Sequence, residues 1–230
     1  MPLIELVGVR HEYPTGSGTR QVLVDVDLRL DEHRIGVIGS NGSGKSTFAR
    51  MLNALVVPTA GTVRVDGLDS ATEANAIRRR VGFCFTDPDA QIVMPTVAED
   101  IGFGLRRRGL SKAQIAARVD VALAAYRLDG HRDHPAHLLS GGQKQLLALA
   151  SVLVTEPDLL VLDEPTTLLD LANTRRIQRV IHELPQQVVM VTHDLDLLDG
   201  FDRVLVFHEG RLAFDGQPAA AVAHYLDLVR

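Results

Sequence analysis

The chain has 230 residues, 46% of them hydrophobic, enough to bury a substantial core in one or two lobes. A net charge of -5 argues against binding nucleic acid through bulk positive charge. The single cysteine, Cys84, cannot form an internal disulfide; in the apolar run Val81-Gly82-Phe83-Cys84-Phe85 it reads as a small buried hydrophobe in a reducing compartment rather than a nucleophile.

The opening Met1-Pro2-Leu3-Ile4-Glu5 lacks a basic region ahead of an apolar stretch, so no signal peptide is expected. No apolar run approaches the ~20 residues needed to cross a bilayer, so any membrane role is expected to come through a partner. Apolar alternation predicts strands over 4–9 and 22–30, separated by the turn-forming Pro14-Thr15-Gly16-Ser17-Gly18. A buried strand over 34–38 enters a glycine-rich loop, and a helix-like run covers 48–55. A short strand over 61–67 and a buried strand over 81–85 follow. Residues 87–137 change character and read as a helical lobe inserted into an α/β core. Within it, Ser111 is placed as an N-cap, with Gln114 in the capping-box position of a helix running to about Tyr126. Alternation then resumes: helix 142–153, strand 159–162, helix 170–183, strand 187–192, short helix 195–198, strands 203–208 and 211–215, and a closing helix 218–229 with Pro218 in its first turn. This order predicts an α/β fold with a mostly parallel sheet covered on both faces. The runs Arg78-Arg79-Arg80 and Arg106-Arg107-Arg108 read as solvated faces, the second with the alternative of meeting acidic groups or lipid headgroups.

The chemistry concentrates in a few motifs. Gly39-Ser40-Asn41-Gly42-Ser43-Gly44-Lys45-Ser46-Thr47 fits G-x-x-x-x-G-K-[ST], between a strand and a helix start, where a phosphate-cradling loop must sit. The glycines let backbone N–H groups turn toward a triphosphate, Lys45 reaches its β- and γ-phosphates, and Ser46 offers a hydroxyl to Mg²⁺. Leu159-Leu160-Val161-Leu162-Asp163-Glu164 sets two carboxylates at the end of an apolar strand. Alone, the pair would read as a strand end meeting solvent. Beside a phosphate loop, Asp163 is placed as a metal residue, Glu164 as the group that polarises the attacking water. Leu139-Ser140-Gly141-Gly142-Gln143 offers a second anion-binding surface, with Ser140 as N-cap and two glycines exposing N–H groups; an ordinary helix cap is the alternative.

In this order, the phosphate loop, Leu-Ser-Gly-Gly-Gln, Leu-Leu-Val-Leu-Asp-Glu-Pro and Val191-Thr192-His193-Asp194 resemble the ATPase subunit of an ATP-binding cassette (ABC) transporter. The resemblance spans essentially the whole chain. It implies a P-loop NTPase fold of the ABC type in a single domain, 1–230, with a mixed sheet core, an antiparallel β region and the inserted 87–137 lobe. It implies a head-to-tail dimer, a homodimer being favoured, with two ATP molecules sandwiched between phosphate loop and Ser140, Gly141, Gly142 and Gln143 of the other subunit. It also implies that His193 contacts the γ-phosphate, that Tyr13 stacks on adenine, and that Asp170, in Thr167-Leu168-Leu169-Asp170, belongs to the D-loop. From the residues alone, His193 would more often be structural and Tyr13 a strand-end core residue.

One departure is visible. The family carries Gln after the strand matching 81–85, and here that metal position is Thr86, which lacks the amide; Gln91, five residues on, does not read as its substitute. Asp87-Pro88-Asp89-Ala90-Gln91 and Met94-Pro95-Thr96-Val97-Ala98-Glu99-Asp100 are similar to segments of energy-coupling-factor importers, which take up vitamins and transition metals. That likeness implies a transmembrane coupling protein and a substrate-binding membrane subunit as partners, and a peripheral place on the cytoplasmic face of the cell membrane. Biotin is the favoured solute, with cobalt or nickel behind it. A soluble ABC ATPase acting on ribosomes or DNA, and a P-loop kinase, are the competing functions. One cassette with a short insertion speaks against the first, and the Leu139–Gln143 motif has no purpose in the second.

Overall fold

The computed structural model describes residues 1–230 apart from Ser17 and Arg107, so the turn and the arginine run expected at those two positions lie in part outside the described residues. In chain order the elements are β1 (Ile4–Thr15), β2 (Gly18–Leu30), β3 (Arg34–Gly39), α1 (Lys45–Leu52), β4 (Ala60–Val65), β5 (Leu68–Asp69), α2 (Ala74–Arg80), β6 (Val81–Cys84), α3 (Val97–Phe103), α4 (Lys112–Ala125), α5 (Gly141–Leu153), β7 (Leu159–Asp163), α6 (Leu171–Glu183), β8 (Gln187–Val191), β9 (Arg203–His208), β10 (Arg211–Gly216) and α7 (Pro218–Leu228). The chain divides into two compact units. One comprises Met1–Gly82, Asp158–Glu164 and His182–Arg230, the other Phe83–Pro157 and Pro165–Ile181.

The strands form two sheets. One, of order β2-β1-β4-β5, is antiparallel. The other has the order β10-β9-β3-β8-β7-β6, with β9, β3, β8 and β7 parallel and β10 antiparallel at the edge. The fold is thus mixed α/β, with the expected antiparallel region beside the mostly parallel sheet. β3, β7 and β8 are buried along their whole length, the condition in which strands read as unbroken apolar runs rather than alternating ones. β1 extends six residues beyond the expected end at Val9, with register shifts beginning between Leu6 and Val9 that interrupt its apolar alternation.

The first arginine run is largely exposed, as a solvated face should be, and it makes surface contacts as well. Arg80 bonds Asp158 at 2.7 Å and Asp66 at 2.5 Å, and Arg78 donates to the Ala54 carbonyl at 2.7 Å. The run also ends a helix, α2, that the sequence did not signal because its only buried residue is Ile77. The short helix at Leu195–Leu198 is a 3-10 turn, with the Asp194 side chain accepting from Asp196 N–H.

The second unit is built on α3, α4 and α5. α5 buries Leu146, Leu147, Leu149 and Leu153, and α4 contributes Val119 and Leu123. Capping boxes start all three helices: Thr96 with Glu99, Ser111 with Gln114, and Ser140 with Gln143. Asp100, buried, ties the preceding loop down by accepting from the N–H groups of Val93 and Met94 and from Ser151 Oγ.

Candidate functional site

In the first unit the glycine-rich loop joins β3 to α1, as its sequence demands. At Gly39 (φ +147°) a Cβ would lie 2.1 Å from the Phe207 carbonyl oxygen, and at Gly44 (φ +104°) 2.7 Å from the Val22 carbonyl oxygen. Both positions combine backbone contact with a conformation that side chains rarely adopt. Gly44 precedes α1 and supplies no side-chain cap, so the first N–H groups of that helix keep their hydrogen-bonding capacity for an anion. The buried Ser43 hydroxyl finds no hydrogen-bond partner among the described residues. An orphaned polar atom inside a loop of donors fits a phosphate.

Lys45 is buried, and its ammonium donates to the carbonyls of Gly39 (2.7 Å) and Ser40 (2.9 Å). Burial lowers its pKa, and the nearby Glu164 and Asp163 carboxylates partly counter this. Ser46 Oγ donates to Asp163 Oδ1 at 2.9 Å, and Arg50 stands 3.7 Å from Asp163 Oδ2. Asp163, only 2% exposed, has its pKa raised chiefly by burial, against the opposing pull of Ser46 and Arg50. Glu164 adopts a left-handed φ of +54°, its N–H donates to the Val191 carbonyl at 2.9 Å, and Oε2 lies 3.3 Å from His193 Nδ1. β7 and β8 thus bring Asp163, Glu164 and His193 to the carboxyl ends of neighbouring strands, where open α/β sheets hold ligands.

A cavity of about 460 Å³ opens beside the loop, lined among others by Tyr13, Arg20, Val22, Asn41, Lys45 and Glu164. Tyr13, partly exposed, lies 3.5 Å from Thr47 Oγ1 and packs edge-on against His11. Sequence reasoning missed Arg20, Val22 and Arg50. Arg20 and Val22 reach the cavity only because β2 runs past the loop, a tertiary fact without a local signal. A separate apolar hollow of about 360 Å³ beside α4 carries Arg118 and Glu156 at its rim, paired with each other at 3.4 Å.

Ser140, Gly141, Gly142 and Gln143 form the start of α5 in the second unit. Ser140 Oγ accepts from Gln143 N–H, and Gln143 Oε1 accepts from Ser140 N–H at 2.9 Å. A Cβ on Gly142 would fall 2.4–2.6 Å from the Asn173 amide atoms, so an intrachain neighbour also requires this glycine; Gly141 meets only the Leu168 carbonyl, at 3.9 Å. Asp170 accepts from Asn173 N–H at 2.8 Å, at the start of α6. Thr86 follows β6, while Gln91 is engaged at both ends of its amide, accepting from Phe85 N–H (3.2 Å) and donating to the Ala148 carbonyl (3.0 Å). Cys84 is buried, which pushes its pKa up to about 12.

The donor set suits magnesium. Among the described residues no three His, Cys, Asp or Glu side chains cluster to hold a metal, but Ser46 and Asp163 set two hard oxygens side by side. Mg²⁺ commonly takes few protein oxygens and completes its shell with substrate phosphates and water.

Residues 23–167 match the family model described as ABC transporter. The chain is 52% identical to the biotin transport ATP-binding protein BioM of Rhizobium etli, over 92% of this chain and 94% of that one. Its fold is similar to cbiO1 of Clostridium perfringens, part of the ABC transporter complex cbiONQ, with TM-score 0.83, 31% identity, and 97% and 92% of the two chains covered. It is also similar to the ATP-binding cassette MJ0796, solved as a dimer in a post-hydrolysis state bound to ADP and Pi, with TM-score 0.82, 26% identity and 94% and 98% covered.

Proposed function

Because the chain belongs to the ABC transporter ATP-binding family, whose members are ATPases coupled to transport, we propose that it powers an importer of energy-coupling-factor type whose solute is biotin. The observation that carries the ATPase reading is the convergence of Lys45, Ser46, Asp163, Glu164 and the phosphate loop, with Tyr13 lining the same cavity. The name of the Rhizobium etli relative supports the solute.

In this reading ATP enters with its adenine against Tyr13 and its phosphates on the N–H groups of the loop and α1. Lys45 exchanges its two carbonyl partners for phosphate oxygens. Ser46 and Asp163 would hold Mg²⁺, which would supply charge neutralisation at the phosphates. Glu164 orients a water toward the γ-phosphorus and accepts its proton while the bond to the leaving ADP oxygen breaks. His193, beside the Glu164 carboxylate, fixes that side chain and reaches the γ-phosphate.

The start of α5 grips the nucleotide held by a second copy, so that two chains enclose two ATP molecules. The D-loop Asp170 lies near this contact. A transmembrane coupling protein and a substrate-binding membrane subunit complete the complex, and the chain sits peripherally on the cytoplasmic face. Among the described residues no helix is long and apolar enough to cross a membrane.

Glu164→Gln is expected to bind ATP, to hydrolyse it at least about 100-fold more slowly, as removal of a general base does, and to accumulate as a dimer on size exclusion with ATP. Rapid turnover by this variant would remove Glu164 from its role. Purification of the native complex, followed by identification of its membrane subunits and bound small molecule, tests the solute; cobalt or nickel in place of biotin would replace that part of the reading.

A further inference from the structure

Gln143 has an amide with two different ends, and the structure assigns a partner to each. Its carbonyl oxygen accepts from Ser140 N–H at 2.9 Å and closes the capping box. Its amino group therefore points away from that turn, toward Nε2 of His131 at 3.0 Å. Turning the amide over would set its NH₂ against the Ser140 N–H, two donors face to face. The histidine must do the accepting, which Nε2 can do only without a proton. In this arrangement the hydrogen of the ring lies on Nδ1. Nδ1 is itself buried with no partner among the described residues. The ring is held from behind by the edge of His134, with centroids 5.5 Å apart, and its backbone is pinned by N–H donation to the Leu128 carbonyl at 2.8 Å.

The consequence falls on the helix start. The capping box satisfies the Gln143 N–H through Ser140 Oγ, so the N–H groups of Gly141 and Gly142 are the ones left to face an anion. Their direction depends on the box staying closed, and the box depends on which way the Gln143 amide faces. We propose that His131 is a positioning residue for this turn, acting through Gln143 to keep those two N–H groups aimed at the second copy's nucleotide. The proposal rests on the two-subunit reading above, and a residue eight places upstream of the motif would not be suspected from its spacing.

The test compares His131→Leu, which removes the acceptor, with His131→Gln, whose side-chain oxygen can take the place of Nε2. Nucleotide affinity of the isolated subunit reports the phosphate loop and the fold of the first unit. ATP-driven dimerisation in the Glu164→Gln background reports the turn. His131→Leu is expected to leave nucleotide affinity within about twofold of the parent and to weaken dimerisation and kcat by about fivefold, the worth of one hydrogen bond, with His131→Gln restoring most of the loss. If both variants dimerise and turn over like their parents, or both lose the same amount, the proposal falls. If Glu164→Gln with His131 intact fails to dimerise with ATP, the two-subunit reading falls and takes the proposal with it.

Discussion

Gly142 offers a clean separation of packing from function. An alanine Cβ there would approach the Asn173 amide to 2.4–2.6 Å, inside any tolerated contact, but the atoms it meets are the end of a side chain that can swing. Overpacking costs ~1–3 kcal/mol, and a movable neighbour places this case near the lower end. Against it stands the gain of ~0.5–1 kcal/mol from replacing a helical glycine by alanine, since Gly142 carries no left-handed φ to forbid the change. The net expectation for Gly142→Ala is a loss of about 0.5 kcal/mol, or a thermal midpoint about 1–2 °C lower for a chain of this size. In an Asn173→Ala background the clash disappears and the sign reverses, the same substitution raising the midpoint by about 1–4 °C. ATPase activity is expected to follow neither curve: under the proposed function the methyl group would stand beside N–H groups that face the second copy's phosphate, so kcat falls about tenfold or more in both backgrounds. Calorimetry and steady-state turnover on the four proteins decide. If the stability effect keeps its sign when Asn173 is gone, the steric argument is wrong. If turnover recovers together with stability, Gly142 serves packing alone and no nucleotide approaches it.

Two further outcomes follow from the environments of single residues. Cys84, buried and with its pKa pushed up to about 12, remains a neutral thiol below that pH, so iodoacetamide at pH 8 is expected to leave it unmodified in the native chain and to alkylate it fully in denaturant. Native labelling at the denatured rate would contradict its burial. Thr86→Gln, which restores the amide found elsewhere in the family, is expected to tighten the link between metal and membrane partner and so to change both ATP turnover and transport. Gln91 will not compensate in the parent, because both ends of its amide are already committed to Phe85 and Ala148; indistinguishable parent and variant in both assays would refute this account.

The legible parts of the molecule were those written in local chemistry. β3, the loop and the start of α1 are adjacent in sequence, and their glycines, lysine and serine each have a short-range reason to be where they are. The capping box at Ser111 and the N-cap at Ser140 were equally plain, being patterns of a few residues, though the reciprocal bond from Gln143 was not foreseen. α1 nevertheless begins at Lys45, three residues earlier than its apolar pattern suggests, because the helix starts on the loop's last glycine rather than on its first buried phenylalanine. α2 was invisible, since one buried isoleucine makes no periodicity and its arginines reach carboxylates and a carbonyl far away in sequence. Arg20 and His131 went unseen for a related reason: each is defined by the partner it meets in space, and nothing in its own neighbourhood announces that meeting.

The left-handed backbone at Glu164 has one more implication. Along an extended strand, neighbouring side chains leave on opposite sides, so two consecutive carboxylates would ordinarily be divided between two surfaces. Turning the chain at the second of them breaks that rule by a single residue: Glu164 lines the cavity beside the phosphate loop while Asp163 meets Ser46, which lines the same cavity. Such a conformation in a side-chain-bearing residue is disfavoured by about 1–2 kcal/mol, so the bend must be enforced by its surroundings, among them the Val191 carbonyl that accepts its N–H. Smoothing this corner would leave the acidic pair intact in sequence and yet place its members back to back.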